Sequence, residues 1–306
     1  VAVFPGPNAA HLVAARMRWP LHGIDSVSVH GRPLAKFAAW MQPNARLVVL
    51  CHDGDTPAAI ARMLTEAGYG ASTLTVFNRM GGPDESRLDG SADDWTHDRA
   101  DDLCTLAVIC RAKAGAPAPF AGPGLPDDAF AHDGVITKRE VRAAALAKLG
   151  GGPTSVMWDV GAGCGSLAVE WQRGGPWRQA YAIEPRADRR ALIETNRIRL
   201  GAPELRIVQA DAPLAFLELP APDAVFVGGG LATPTLLEAA RTALKPGGRL
   251  VAHAATPDGE AALGAAFAEF GGELARIAVT RVEPVAGRPV WRGRAPITQW
   301  AWGRPA

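Results

Sequence analysis

Val156-Met-Trp-Asp-Val-Gly-Ala-Gly-Cys-Gly-Ser166 decides how the second half of this 306-residue chain folds. An apolar strand runs into a Gly-x-Gly-x-Gly turn, and a helical pattern follows it. Glycines at Gly161, Gly163 and Gly165 remove Cβ atoms, permit positive φ, and turn backbone N–H groups at a helix start towards a ligand. A tight strand-to-helix turn with no ligand is the bland reading of the same residues.

The segments that follow choose between ligands. Gln179-Ala-Tyr-Ala-Ile-Glu184 places a carboxylate at a strand end about twenty residues beyond the glycines, where it could accept both hydroxyls of a ribose. Each such charged hydrogen bond is worth about 1.5–3 kcal/mol. A third run, Leu205 to Ala210, ends in Asp211-Ala212, which could meet an adenine edge. A dinucleotide site also shows glycines followed by an acid, but its pattern is G-x-G-x-x-G, and Ser166 stands where the third glycine belongs. The spacing therefore favours S-adenosylmethionine over NAD.

Apolar runs at 155–160, 179–184, 204–209, 222–227 and 248–254 alternate with helical patterns, which predicts a parallel sheet with ligands at the carboxyl ends of its strands. A helical stretch through Phe270 then leads to 275–282 and 296–302, expected to pair as an antiparallel edge. Between Lys113 and Asp128 the prolines 117, 119, 123 and 126 with three glycines predict an extended linker. Ahead of it, runs at 26–29, 46–50, 72–77 and 103–110 flank helical patterns such as 57–67, an α/β arrangement. No internal repeat suggests a solenoid.

Several segments together resemble one family. They are Gly134-Val-Ile-Thr-Lys-Arg-Glu-Val-Arg142, the loop Trp158 to Ser166, Ala182-Ile-Glu184, Asp211-Ala-Pro213, Phe226-Val-Gly-Gly-Gly230 and Lys245-Pro-Gly-Gly248. The lysine-proline-glycine-glycine turn before a fifth strand is similar to that of class I methyltransferases. The whole set resembles the decarboxylating precorrin methyltransferases of cobalamin synthesis, over roughly residues 130–306. That resemblance implies a class I, Rossmann-like, seven-stranded methyltransferase sheet. It also implies methylation of a precorrin at C15 with loss of carbon dioxide from the ring C acetate. Thr137, Gly161, Ala162, Gly163, Cys164, Gly165, Glu184 and Ala212 fall at the family's S-adenosylmethionine contacts, with Asp211 beside them. Lys138, Arg142, Gly228, Gly229 and Gly230 are the expected substrate contacts.

Phe4-Pro-Gly-Pro7, Ser28 to Pro33 and Leu50 to Ala61 resemble the second half of a tetrapyrrole methylase domain, the one that methylates C5. The two domains are fused in precorrin-6Y C5,15-methyltransferases, and this chain is similar to such a fusion without its front. Expected domains are a partial tetrapyrrole methylase α/β domain at 1–112, a linker at 113–128 and the C15 methyltransferase and decarboxylase at 129–306. Because that fold binds cofactor between two halves, this polypeptide is expected to lack the C5 activity.

Some residues read two ways. Thr137-Lys-Arg-Glu140 has the pattern of a helix capping box, and Thr137 at an exposed helix start could also touch a ligand. Lys138 and Arg142 are solvated helix charges on one reading and partners for substrate carboxylates on the other. Arg281, Arg288, Arg292, Arg294 and Arg304 face a single acid, Glu283, in the last stretch; they and Trp291, Trp300 and Trp302 suit either a polycarboxylate macrocycle or an ordinary edge hairpin. His253 is a candidate for the decarboxylation proton, against a packed histidine. No catalytic residue is assigned from sequence.

Formal charge is +1, so no overall field argues for nucleic acid or a membrane surface. Cys51, Cys104, Cys110 and Cys164 show no paired spacing, so neither a metal site nor a disulfide framework is expected. No apolar run of about eighteen residues and no signal pattern appears, and the expected compartment is cytoplasmic. The related enzymes imply a homo-oligomer, as a tetramer. Two other functions stay open: a different small-molecule or RNA methyltransferase, and a catalytically silent corrinoid-binding module.

Overall fold

The computed structural model describes residues 6–116, 122–233 and 235–306. The chain divides into two compact units, 1–120 and 121–306. Phe4 and Pro5 of the Phe4–Pro7 motif, and the linker prolines Pro117 and Pro119, lie outside the described residues.

The first unit contains α1 (Ala9–Met17), β1 (Asp25–Ser28), β2 (Arg46–Leu50), α2 (Thr56–Glu66), β3 (Thr73–Asn78), β4 (Ser86–Ser91) and β5 (Cys104–Ile109). Its sheet runs β1-β2-β5-β3-β4. Only β1 and β2 are parallel; the other neighbours are antiparallel. Leu47 and Val49 enter one buried cluster with Ile60 and Leu64 of α2, while Val48 enters another with Val13 of α1. A strand covered on both faces needs no polar alternation, which is why 46–50 is apolar throughout.

The second unit holds α3 (Arg139–Leu149), β6 (Val156–Val160), α4 (Ser166–Arg173), β7 (Gln179–Ile183), α5 (Ala187–Arg199) and β8 (Arg206–Val208). It continues with β9 (Ala224–Val227), α6 (Leu236–Ala243), β10 (Arg249–Ala254), α7 (Pro257–Phe270), β11 (Glu273–Ile277), β12 (Thr280–Val285), β13 (Arg288–Gly293) and β14 (Ile297–Gly303). Seven strands form one sheet in the order β11-β14-β10-β9-β6-β7-β8. Pairing is parallel from β10 to β8, and β14 joins both β10 and β11 antiparallel. Alternate residues of β6 serve opposite layers: Met157 packs with α3, α4 and α5, Trp158 with α6 and α7.

The expected antiparallel edge forms, with one addition. Between β11 and β14 the chain makes a separate two-stranded hairpin, β12–β13, on which Val282, Val290 and Trp291 are exposed. Trp300 and Trp302 belong instead to the core of the seven-stranded sheet, with Trp300 donating to the Gly271 carbonyl at 2.9 Å.

Arg142 corrects the sequence reading. Its side chain is fully buried, and every arm of the guanidinium is taken. Nε meets Glu170 at 2.5 Å, Nη1 meets Asp127 at 3.1 Å and the Thr137 carbonyl at 2.5 Å, and Nη2 donates to the Leu125 carbonyl. Glu170 in turn accepts from the Gly124 and Leu125 amides at 2.5 and 3.2 Å. The pair fastens residues 124–137 onto α3 and α4, so Arg142, fully buried and with four of its five N–H donors engaged inside the protein, does not face the cavity at the carboxyl ends of the strands.

A buried charge stripped of its partner is worse than no pair at all. Arg142→Met is therefore expected to cost about 3–5 kcal/mol of unfolding free energy. The double variant Arg142→Met/Glu170→Met should recover part of that loss. Urea midpoints of the three proteins check both statements.

Candidate active site

The carboxyl ends of β6, β7, β8 and β9 open onto a cavity of about 380 Å³. That volume is in the usual range for one small-molecule ligand. Parallel strands sharing one direction bring their following loops to the same edge, which places the cavity there.

The turn after β6 forms its wall. Gly161, Gly163 and Gly165 all have positive φ, at 71°, 59° and 74°. The amides of Gly161 and Ala162 both donate to the Ile183 carbonyl, at 3.1 and 3.2 Å, tying the turn to the end of β7. A Cβ on Gly163 would meet nothing within 4 Å, so this glycine faces open space. Gly165 is different: a Cβ there would come within 3.0 Å of Ile193 on α5, and the residue does not line the cavity. Its role is close helix packing.

Glu184 is buried at the end of β7, lining the cavity. One carboxylate oxygen accepts the Gly163 amide at 2.9 Å and the other accepts the Arg186 amide at 3.1 Å. Asp211 and Ala212 line the wall after β8, and Gly228, Gly229 and Gly230 line it after β9. Ala162, Cys164 and Thr137 also face the cavity, whereas Lys138 does not. Thus the structure gathers all the sequence-predicted residues except Gly165, Lys138 and Arg142.

Thr137 is not a helix cap. The first helical residue is Arg139, Lys138 holds the N-cap position without a side-chain bond, and Glu140 pairs with Arg281 of the hairpin. The box does not form: the helix starts two residues after Thr137, and its acid is held by Arg281.

Three charged cavity residues escaped the sequence reading: Asp159, Arg186 and Arg189. Asp159 was visible as a carboxylate set inside an otherwise apolar strand. Arg189 pairs with Asp133 at 3.0 Å and Arg186 with Asp188 at 2.6 Å, so both are partly neutralised. His253 lies outside the cavity lining. Its Nε2 is 2.9 Å from the Gln299 amide oxygen and its ring meets Phe226 edge to face, which makes it a packed histidine. Of the C-terminal arginines, Arg281 pairs with Glu140, Arg294 with Glu283, and Arg304 donates to the Thr242 and Leu244 carbonyls.

All four cysteines are free and buried. Among the described residues no cluster of three or more His, Cys, Asp or Glu is placed to hold a metal ion, and no helix is long and apolar enough to cross a membrane.

The strand order, the glycine turn after β6 and the acid after β7 define the fold of the S-adenosylmethionine-dependent methyltransferases, α/β and Rossmann-like. Comparison with known proteins narrows the class. The sequence profile of the precorrin methyltransferase domain matches residues 128–304. The chain is 40% identical over 302 residues to precorrin-6Y C(5,15)-methyltransferase [decarboxylating] of Sinorhizobium sp, across 99% of this chain and 73% of that protein. It is also 40% identical over 302 residues to the protein of that name from Mycobacterium tuberculosis, across 98% and 75%. A crystal structure of the C-terminal domain of precorrin-6Y C5,15-methyltransferase from Rhodobacter capsulatus superposes with a TM-score of 0.56 at 42% identity, covering 60% of this chain and 99% of that one. The chain belongs to the precorrin-6Y C(5,15)-methyltransferase (decarboxylating) family.

Two buried groups of opposite behaviour stand near this edge. Burial pushes the Asp159 carboxyl up to about 7; the Ala168 amide opposes the shift and Glu184 adds to it. Burial drives His253 down to about 4, against its hydrogen bond with Gln299. Between about pH 4 and 7 the folded Asp159 keeps a proton that the unfolded chain has lost, so its contribution to stability falls as pH rises. Between about pH 6.5 and 4 the folded His253 lacks a proton that the unfolded chain carries, so its contribution falls as pH drops. The two slopes oppose each other. His253→Asn is expected to gain stability relative to the wild type on acidification through that window, by on the order of 3 kcal/mol. Urea unfolding at several pH values checks it, and a difference that stays flat excludes it.

Proposed function

We propose that the cavity binds S-adenosylmethionine and that the protein methylates a precorrin and decarboxylates it, a step of cobalamin biosynthesis. The observation that carries this is the convergence of the glycine turn, Glu184, Asp211 and Gly228 to Gly230 on one cavity in a chain of this family. When bound, S-adenosylmethionine supplies an already activated methyl group.

The residues present suit that cofactor. Gly163 leaves open space at the turn, which any side chain would fill. Glu184 offers a carboxylate whose two oxygens take one amide each, leaving acceptor capacity for ribose hydroxyls. Asp211 and Ala212 are proposed at the adenine edge, and Thr137, Ala162 and Cys164 at the remaining wall. Gly228, Gly229 and Gly230 are proposed to let a broad macrocycle approach the end of β9.

Carbon methylation of an electron-rich ring asks little acid–base chemistry of the protein. Position dominates, and alignment lowers such barriers by about 7–11 kcal/mol in favourable cases. We assign the methylation to C15, the lost carboxyl to the ring C acetate, and both to residues 129–306. Residues 1–112 are proposed as part of a tetrapyrrole methylase domain. Self-association into a homo-oligomer, as a tetramer, is proposed.

Incubation with the precorrin substrate and methyl-labelled cofactor is expected to give a C15-methylated product with release of carbon dioxide. Label in RNA, or substrate binding without turnover, overturns the reading. Light scattering on the purified chain tests the assembly.

Glu184→Ala is expected to weaken S-adenosylmethionine binding about 10- to 100-fold, the loss of one or two charged hydrogen bonds, with the far-ultraviolet circular dichroism spectrum unchanged. Gly163→Val should be worse, because branched bulk at positive φ both strains the turn and enters the cavity. Calorimetric titration of both variants checks the order.

A further inference from the structure

Asp159 is the last but one residue of β6, and its side chain is buried beneath the cavity that it lines. It accepts the Ala168 amide at 3.1 Å and, among the described residues, forms no ion pair. The groups around it are mostly acidic or already engaged. Glu184 faces the same cavity from the end of β7, Asp211 from the loop after β8, and the Cys164 thiol from the glycine turn. Arg186 and Arg189 reach the rim from the start of α5, each paired with its own aspartate. From α3 and α4 the nearest charges are Arg142 and Glu170, which neutralise each other. β9 presents the ring of Phe226 and no charge.

Asp159 is already 1% exposed where it lines the cavity, so an occupant lies over the little of it that solvent reaches. A neutral cover removes the last solvation of a carboxylate and holds the proton on; a cationic cover does the reverse. S-adenosylmethionine and its thioether product differ by one positive charge, that of the sulfonium.

Resting on the cofactor reading above, we propose that Asp159 is the charge-sensing residue of the cavity. It is a neutral acid in the free protein, ionises when the sulfonium cofactor binds, and returns to the acid form with the thioether product. On binding, the Oδ–H bond breaks, its electron pair stays on the carboxylate, and the proton passes to buffer. The site thus grips the sulfonium methyl donor and loosens on the product that lacks the sulfonium charge. Burial supports this independently, since it lifts the Asp159 carboxyl to about 7, so the acid form is abundant at and below neutrality.

Linkage gives the measurable form. The dissociation constant of S-adenosylmethionine should fall by up to about tenfold per pH unit as pH rises towards 7 and flatten above it, while that of S-adenosylhomocysteine stays level up to 7 and rises above it. Titration calorimetry in buffers of different ionisation enthalpy should show close to one proton released per S-adenosylmethionine bound near pH 6, and none for S-adenosylhomocysteine. In Asp159→Asn both the release and the pH slope should vanish. Infrared difference spectra of the wild-type protein give the same answer without a variant: the C=O stretch of a protonated buried carboxyl disappears when S-adenosylmethionine is added and persists with S-adenosylhomocysteine. Tight binding without proton release, with release that survives Asp159→Asn, or with that band unchanged overturns the role of Asp159 and leaves the cofactor site standing. Failure of S-adenosylmethionine to bind the wild type at any pH overturns both.

Discussion

The site depends on one tether: the amides of Gly161 and Ala162 share the Ile183 carbonyl, and the amide of Gly163 is held by Glu184. A strand end has no neighbour of its own to fix the chain that leaves it. Here the end of β7 does so, through a backbone oxygen and then a side chain. The glycines make the path possible, since three positive φ angles in five residues would each strain a residue with a Cβ. The carboxylate in the ligand cavity is thus also a strut of the loop. Ligand contact and loop order are joined in one residue.

The two glycine segments are coupled in a way that separate reading of each conceals. A Cβ on Gly161 would lie 3.2 Å from the Gly229 amide nitrogen, and the Gly228 amide donates to the Val160 carbonyl at 2.9 Å. A Cβ on Gly228 would in turn press on the Phe226 ring at 2.8 Å. The turns after β6 and β9 therefore stand back to back, and some of their glycines are required by each other. Gly163 and Gly229, with nothing near, are the positions where the missing side chain leaves room to the cavity alone.

Much of the second unit was legible because parallel strands covered on both sides leave unbroken apolar runs, and five of those runs are the five parallel strands. Glycines and acids at their ends mark the ligand edge by position alone. The polar strand β4 was not legible: Ser-Arg-Leu-Asp-Gly-Ser carries one large apolar residue, and an edge strand needs no more when its partner β3 supplies the register and Thr75 bonds Asp89 at 2.7 Å. The β12–β13 hairpin was not expected as a separate sheet between the two runs read as a pair, because β13 is exposed throughout and β12 has no fully buried residue. Arg142 misled for a related reason. A charge four residues into a helix reads as solvated unless its distant partner is known, and Glu170 lies on another helix.

The buried pair also explains how the cavity acquires its remaining wall. Residues 124–137 have no regular structure apart from a short turn at Asp127–Ala129, so no ladder of backbone bonds can hold them. Arg142 and Glu170 replace that ladder: between them they take two amides and two carbonyls of the segment. Asn196 adds the Ala131 amide and carbonyl, and it also bonds the Cys164 carbonyl inside the glycine turn. Thr137 reaches the cavity only because its carbonyl is fixed by Arg142. The residues that a sequence marks as meeting ligand are thereby held by others that never do, and the division follows donor capacity. A guanidinium with every arm engaged inside the protein is a scaffold, whereas a carboxylate that still has lone pairs facing a cavity is a site.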